Sequence, residues 1–137
     1  VKNLIAKSIK NPDKIIIANR WIENKSFIGY NLIKLILNKI FQIFFSALYA
    51  VSLSDLTFAY RVYPSKLINK LNLKETRHPI LLETALIPIK LGIGFIEIPS
   101  KWRSRKEGST NNNFLMNFAY IFTGFRIFFS NKKRLVK

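Results

Sequence analysis

The sequence predicts an α/β fold with about three short strands and flanking apolar helices. Three observations carry that expectation. Runs rich in β-branched and aromatic residues occur at 14–20, 56–63 and 93–99, with the length and composition that strands prefer. Two longer stretches, about 29–52 and 114–130, are apolar except for a polar residue every third or fourth position. That pattern is a helix with a narrow polar stripe. Finally, 78–113 reads as a buried helix, a glycine turn, a strand and a basic loop. Such a scaffold presents anion-binding groups at the end of a strand.

The chain has 137 residues, enough for one modest domain with a real core. It starts at Val1 and its only methionine is Met116, so a fragment or processed product is expected. With no cysteine, disulfides, thiolate metal sites and cysteine nucleophiles are excluded. The net charge of +16 fits nucleic acid, an anionic membrane surface or phosphate-bearing substrates. Part of it reflects the joint richness in Ile, Lys and Asn that an AT-biased genome produces. The rest is placed: from Lys101 onward there are nine basic residues and one acidic residue, Glu107.

In chain order, 1–13 is polar and basic and closes on an Asn11-Pro12-Asp13 turn. Residues 14–20 form a buried strand ending in Asn19-Arg20-Trp21. Taken alone, Arg20 reads as an exposed residue on an edge strand. The 29–52 helix has its polar stripe at Asn31, Lys34, Asn38, Gln42 and Ser46. Its charge-free part, 40–53, is shorter than the ~20 residues a bilayer core needs. Its broad apolar face therefore packs on protein or lies in a membrane interface. Asp55 ends the helix, and 56–63 follows as a strand. A short helix at 65–71 and a polar loop lead to His78, a cap or surface residue.

Pro79 suits the first turn of the next helix, 79–91, and Gly92 its end. Pro88 is expected to kink it. Glu83 is its only acid. A buried carboxylate without a partner is costly, so Arg61 or the later Arg-rich loop is expected to pair with it. After strand 93–99, a loop carries Trp102, Arg103, Arg105, Gly108 and Thr110. The 114–130 helix is rich in Phe, with Asn117, Tyr120, Thr123 and Arg126 on one stripe. The basic tail after it suits a cytoplasmic membrane face, where each basic residue adds ~1 kcal/mol.

Three elements resemble family 2 glycosyltransferases, in particular the polyprenyl-phosphate (dolichol-phosphate) mannosyltransferase-like group. Ala18-Asn19-Arg20-Trp21 stands where that family has Gly-Ser-Arg-aromatic. Asp55, Thr57, Ala59, Tyr60 and Arg61 match Asp-x-(Thr/Ser)-x-(Gly/Ala)-aromatic-Arg. Glu83, Gly92, Glu97, Pro99, Trp102, Arg105, Gly108 and Thr110 follow its helix-Glu, Gly-x-x-hydrophobic-x-Glu-hydrophobic-Pro and Arg-x-x-Gly-x-Ser elements. Thr110 replaces the usual Ser, and Asn111 a frequent Lys. The resemblance covers most of 14–112. It implies the C-terminal part of a Rossmann-like, A-type glycosyltransferase domain over 1–112. Residues 113–137 would form an amphipathic aromatic helix and a basic tail at a membrane interface.

What the resemblance implies is sugar transfer from a nucleotide-sugar donor to a polyprenyl-phosphate or similar acceptor, peripherally, on the cytoplasmic face of a membrane. The acceptor phosphate is already a nucleophile, so the demand on the protein is electrostatic. Arginine forks suit phosphate better than lysine. Glu83 and Arg105 are the expected catalytic residues. Arg20, Asp55, Arg61, Trp102, Arg103, Gly108 and Thr110 are the expected substrate- and phosphate-binding residues. Asp55–Arg61 also reads as a structural ion pair, and Glu83 as a buried salt bridge that holds the loop. A divalent metal, Mg or Mn, is expected for the full-length family. Its Asp-x-Asp element does not occur in 1–13, which contains only Asp13. The chain by itself is therefore expected to be inactive and to hold no metal. The alternative is a non-catalytic basic membrane-surface module derived from the same fold. Nucleic acid is not the expected partner, because the tail is short and the helix before it apolar.

Overall fold

A computed structural model describes residues 2–103 and 115–137, and it is a mixed α/β structure. Arg105, Gly108 and Thr110 lie outside the described residues. The centre is β1, Ile15–Asn19, with every residue buried. It is flanked by β3, Arg61–Val62, antiparallel, and by β4, Phe95–Pro99, parallel, in the order β3-β1-β4. The parallel register runs from Ile15 opposite Phe95 to Asn19 opposite Pro99. Side chains alternate between the faces of a strand, and β1 has both faces covered. Ile16 and Ala18 meet Leu4 of α1, Lys2–Lys10, while Ile15 and Ile17 enter the main core. Cover on both sides explains why β1 is a continuous apolar run.

The main core is supplied by α2, Leu32–Leu48, and α4, Ile80–Leu91, together with α5, Leu115–Phe129. Phe45, Leu82, Leu86, Ile127 and Leu135 all belong to it, so the described residues before 104 and after 114 share one interior. Local chemistry sets the helix ends. The Asn31 side chain accepts from Lys34 N and starts α2. Ala50, at φ 51°, ends it in a left-handed turn. Gly92, at φ 82°, caps α4 without the strain that a Cβ brings there. The short α3 spans Ser65–Ile68. At Gly124, α5 crosses α2 so closely that any Cβ would run into the Phe45 ring. Tyr49 Oη donates to Gly124 O at 2.8 Å beside it.

Several expectations change. Residues 2–10 form a helix where only a polar basic stretch was expected. Its signal is faint because only Leu4 is buried. The 56–63 strand shrinks to Arg61–Val62. Side chains take over the backbone before it: Leu56 N donates to Gln42 Oε1 at 2.7 Å. Trp102 and Arg103 are not loop but β5, Trp102–Arg103, paired in parallel with β2, Phe27–Ile28. Asn72 N donates to Leu135 O and Lys137 N to Lys70 O, tying the tail to the 70–72 segment.

Candidate functional site

Parallel pairing brings the C-terminal ends of β1 and β4 together. In α/β sheets this is the edge where ligands gather. Asn19 Nδ2 donates to Glu97 Oε1 at 2.6 Å and to Ser54 Oγ at 2.5 Å. Asn19 Oδ1 accepts from Trp21 N at 2.7 Å and so fixes the turn that leaves the strand. Arg20, the next residue, grips Asp55 with both faces of its fork. Nε donates to Oδ2 and Nη2 to Oδ1, both at 2.8 Å, and Arg20 N adds a third bond to Oδ2. Asp55 is fully buried and Arg20 only 6% exposed. The guanidinium lies 4.5 Å from the Phe58 ring centroid and 5.4 Å from that of Phe27.

A second rank of groups holds this pair. Gln42 on α2 donates to Thr57 Oγ1 at 2.8 Å and accepts from Leu56 N. Thr57 Oγ1 accepts in turn from Arg20 Nη2 at 3.4 Å. The inner side of α2 is thus wired into the end of β1. Among the described residues no cation pairs with the Glu97 carboxylate, which accepts from neutral donors, Asn19 Nδ2 and Ser54 N. Burial raises its pKa first and the nearby negative charge of Asp55 adds to the rise, against hydrogen bonds from Ser54 N, the Asn19 side chain and the Asp55 backbone that lower it. Glu97 stands opposite Ile17 in the register, so its carboxyl lies on the main-core side of β4 with Asn19 and Ser54, while a cleft of about 750 Å³ lined by Lys2, Lys7 and Lys10 of α1, Tyr60 and Ser100 meets the strand from the other face. A half-buried carboxyl with raised proton affinity at the strand ends can exchange a proton with a ligand that reaches that edge.

Beyond Arg20, rings continue toward β5. Trp21, Phe27, Tyr30 and Trp102 meet in sequence at centroid distances of 4.5, 5.5 and 4.7 Å. Lys39 Nζ lies 4.5 Å over the Trp21 ring. Among the described residues the buried Trp21 indole N–H has no hydrogen-bond partner. Arg103 is exposed at the end of this row.

The structure therefore unites Arg20 and Asp55 and puts Trp102 within the adjoining aromatic row. Two expected pairings are corrected. Arg61 does not hold Asp55, because Arg20 occupies that carboxylate. Arg61 instead donates to Leu56 O at 2.6 Å and Leu81 O at 2.7 Å, tying the turn after Asp55 to α4. Its charge also opposes the burial that pushes the Tyr120 hydroxyl up to about 12. Glu83 pairs neither with Arg61 nor, among the described residues, with any basic residue but Arg126 of α5, at 2.7 Å. Lys74 N and Glu75 N donate to the same carboxylate. Arg126 also reaches Glu75 at 3.0 Å, and Thr123 Oγ1 donates to Glu75. Glu83 thus stands in a separate cluster that fastens α5 and the 74–75 backbone to α4.

Sequence reasoning placed Gln42, Thr123 and Arg126 on polar stripes without assigning them partners. Glu97 and Asn19 lay inside quoted motifs without a role. The stripe itself was the available signal, since a polar residue on the inward side of an apolar helix must be bonded. Among the described residues no group of three or more His, Asp and Glu side chains could hold a metal ion. Comparison of the chain with protein-family models, curated proteins and solved structures returned no match.

Proposed function

We propose that the chain is the acceptor-side part of a Rossmann-like, A-type glycosyltransferase domain. In this reading it serves transfer of a sugar from a nucleotide sugar to a polyprenyl-phosphate or similar acceptor at a membrane surface. One observation carries the reading: the first and second resembling elements, 35 residues apart, meet as the Arg20–Asp55 fork. Glu97 of the third element stands beside them at the strand ends, bonded to Asn19. In this reading the fork is a rigid floor, its arginine fixed by Asp55 and the two rings. Arg103, with Arg105 and Thr110 beyond it, supplies cations and a hydroxyl for phosphate oxygens. Glu97 handles the proton that a hydroxyl-bearing or monoprotonated phosphate acceptor releases. Gly108 lets the backbone come close to the ligand. The donor nucleotide and its divalent metal belong to residues other than these. Glu83 acts by holding α4 and α5 in place.

The test is transfer of radiolabelled sugar from a nucleotide sugar to a polyprenyl phosphate. The 137-residue chain alone gives no product. The chain extended by the coding sequence that precedes Val1 forms product, and R103A with R105A lowers kcat/KM by ~100-fold or more, the scale of lost electrostatic stabilisation. Upstream sequence that lacks an Asp-x-Asp after a strand, or an extended chain that stays inactive on all nucleotide sugars, sinks the reading.

A further inference from the structure

α2 and α5 lie side by side and leave one continuous apolar face open. Ile33, Ile36 and Ile40 of α2 are 69%, 51% and 58% exposed, and Phe122 and Phe129 of α5 are 69% and 79% exposed. The two helices join across Phe44, Phe125 and Phe129, whose rings meet at 6.0 and 6.4 Å. The core does not need this face, because α2 turns Gln42 and Phe45 inward. An exposed apolar surface of this extent marks an interaction site.

Charge selects the occupant. Neither α2 nor α5 contains an acid. At helical spacing Lys34 and Lys39 fall on opposite flanks of the α2 stripe. Lys132, Lys133 and Arg134 stand exposed just past α5. A second copy of the chain would bring these cations against themselves, on a molecule of net charge +16. No helix among the described residues is long and apolar enough to cross a membrane. An apolar stripe with cationic flanks on a helix too short to span lies in the plane of an anionic interface.

We propose that the paired α2–α5 face seats on an anionic lipid surface and inserts its Ile and Phe side chains shallowly into it. This deepens the membrane part of the proposed function and rests on that reading only for the purpose of docking. Seated so, α2 separates lipid from the Arg20–Asp55–Glu97 cluster by one helix diameter, about 10 Å. The reason is that Gln42, on its far side, is bonded to Leu56 N and Thr57. The site would stand within reach of a lipid headgroup without being buried in the bilayer.

The experiment is co-flotation of the full chain with phosphatidylcholine vesicles, with and without phosphatidylglycerol. The chain floats with the anionic vesicles, and part of the binding survives high salt. I40E combined with F122E lowers the vesicle partition coefficient by roughly tenfold or more per side chain. I9E, an exposed α1 position with the same charge change per residue, lowers it far less. Circular dichroism shows both variants folded. Equal loss in I9E and in I40E/F122E, taken per charge, would mean simple charge attraction and overturn the proposal. So would unchanged binding of I40E/F122E, or a self-association that the double substitution abolishes without vesicles present. None of these outcomes depends on sugar transfer, so an inactive chain that still docks separates this inference from the proposed function.

Discussion

The two charge clusters have the same ingredients, one arginine and two carboxylates, arranged differently. Arg126 touches both of its acids, Glu75 and Glu83, directly. Arg20 spends its fork on Asp55 and leaves Glu97 to neutral donors. The first arrangement compensates each negative charge, and it fastens three segments of chain. The second leaves one carboxyl, half-buried at the strand ends, with raised proton affinity. One cluster is closed by its own residues, while the other keeps chemistry in reserve at the sheet edge. The same residue types give a structural bolt or a reactive edge, according to whether the arginine reaches the second acid.

The largest effects test what the clusters share. D55A strands a buried arginine and should cost about 3–5 kcal/mol, the range for breaking a buried pair from one side, while E83A leaves the partly exposed Arg126 with Glu75 at 3.0 Å and should cost less. Urea unfolding checks this, and a loss below ~1 kcal/mol in either would remove that cluster from the comparison. Next, G124V forces a branched side chain into the Phe45 ring. Overpacking of this kind costs about 1–3 kcal/mol. It should loosen α5, seen as faster hydrogen exchange of 115–129, while the Arg20–Asp55 amides stay protected. T123V removes one bond to Glu75 and should cost about 1 kcal/mol, with no change at Glu97.

The smallest effect is the most discriminating. The pKa of Glu97 is raised in the folded chain, so its carboxyl favours folding while protonated. That contribution is whole below the ordinary glutamate value of about 4.3 and is lost as pH rises through the raised value. E97Q should therefore match the parent chain in acid and exceed it slightly in Tm at neutral pH. Melting curves across pH check the sign. A parent chain that gains on the variant as pH rises would mean that Glu97 is charge-compensated like Glu83, and the contrast would vanish.

Much of the fold was legible because burial on both faces writes itself into composition. β1, β4, α2, α4 and α5 all stand where apolar runs and caps put them. What was hidden is where local signals are weak or overridden. α1 buries only Leu4. Strand 56–63 lost its ladder to Gln42, a residue 14 positions upstream of Leu56. Which arginine meets which acid depends on tertiary distance, so Asp55 went to Arg20 rather than Arg61, and Glu83 to Arg126. The motif residues Asn19, Arg20, Asp55 and Glu97 do converge, although their spacing alone could not say which would be paired and which left with a spare proton site.

The fastening of the tail has a mechanical consequence. Leu135 is buried, Asn72 N and Lys137 N bind across it, and Leu71 bridges Val136. Tension applied at the C-terminal end would be borne first by this short antiparallel clasp, in shear, and then by the 70–75 segment. That segment also grips Glu83 through Lys74 N and Glu75 N. A pull at Lys137 would thus register at α4 before α5 could peel away. The last few residues work as a strain relief for the helix that precedes them.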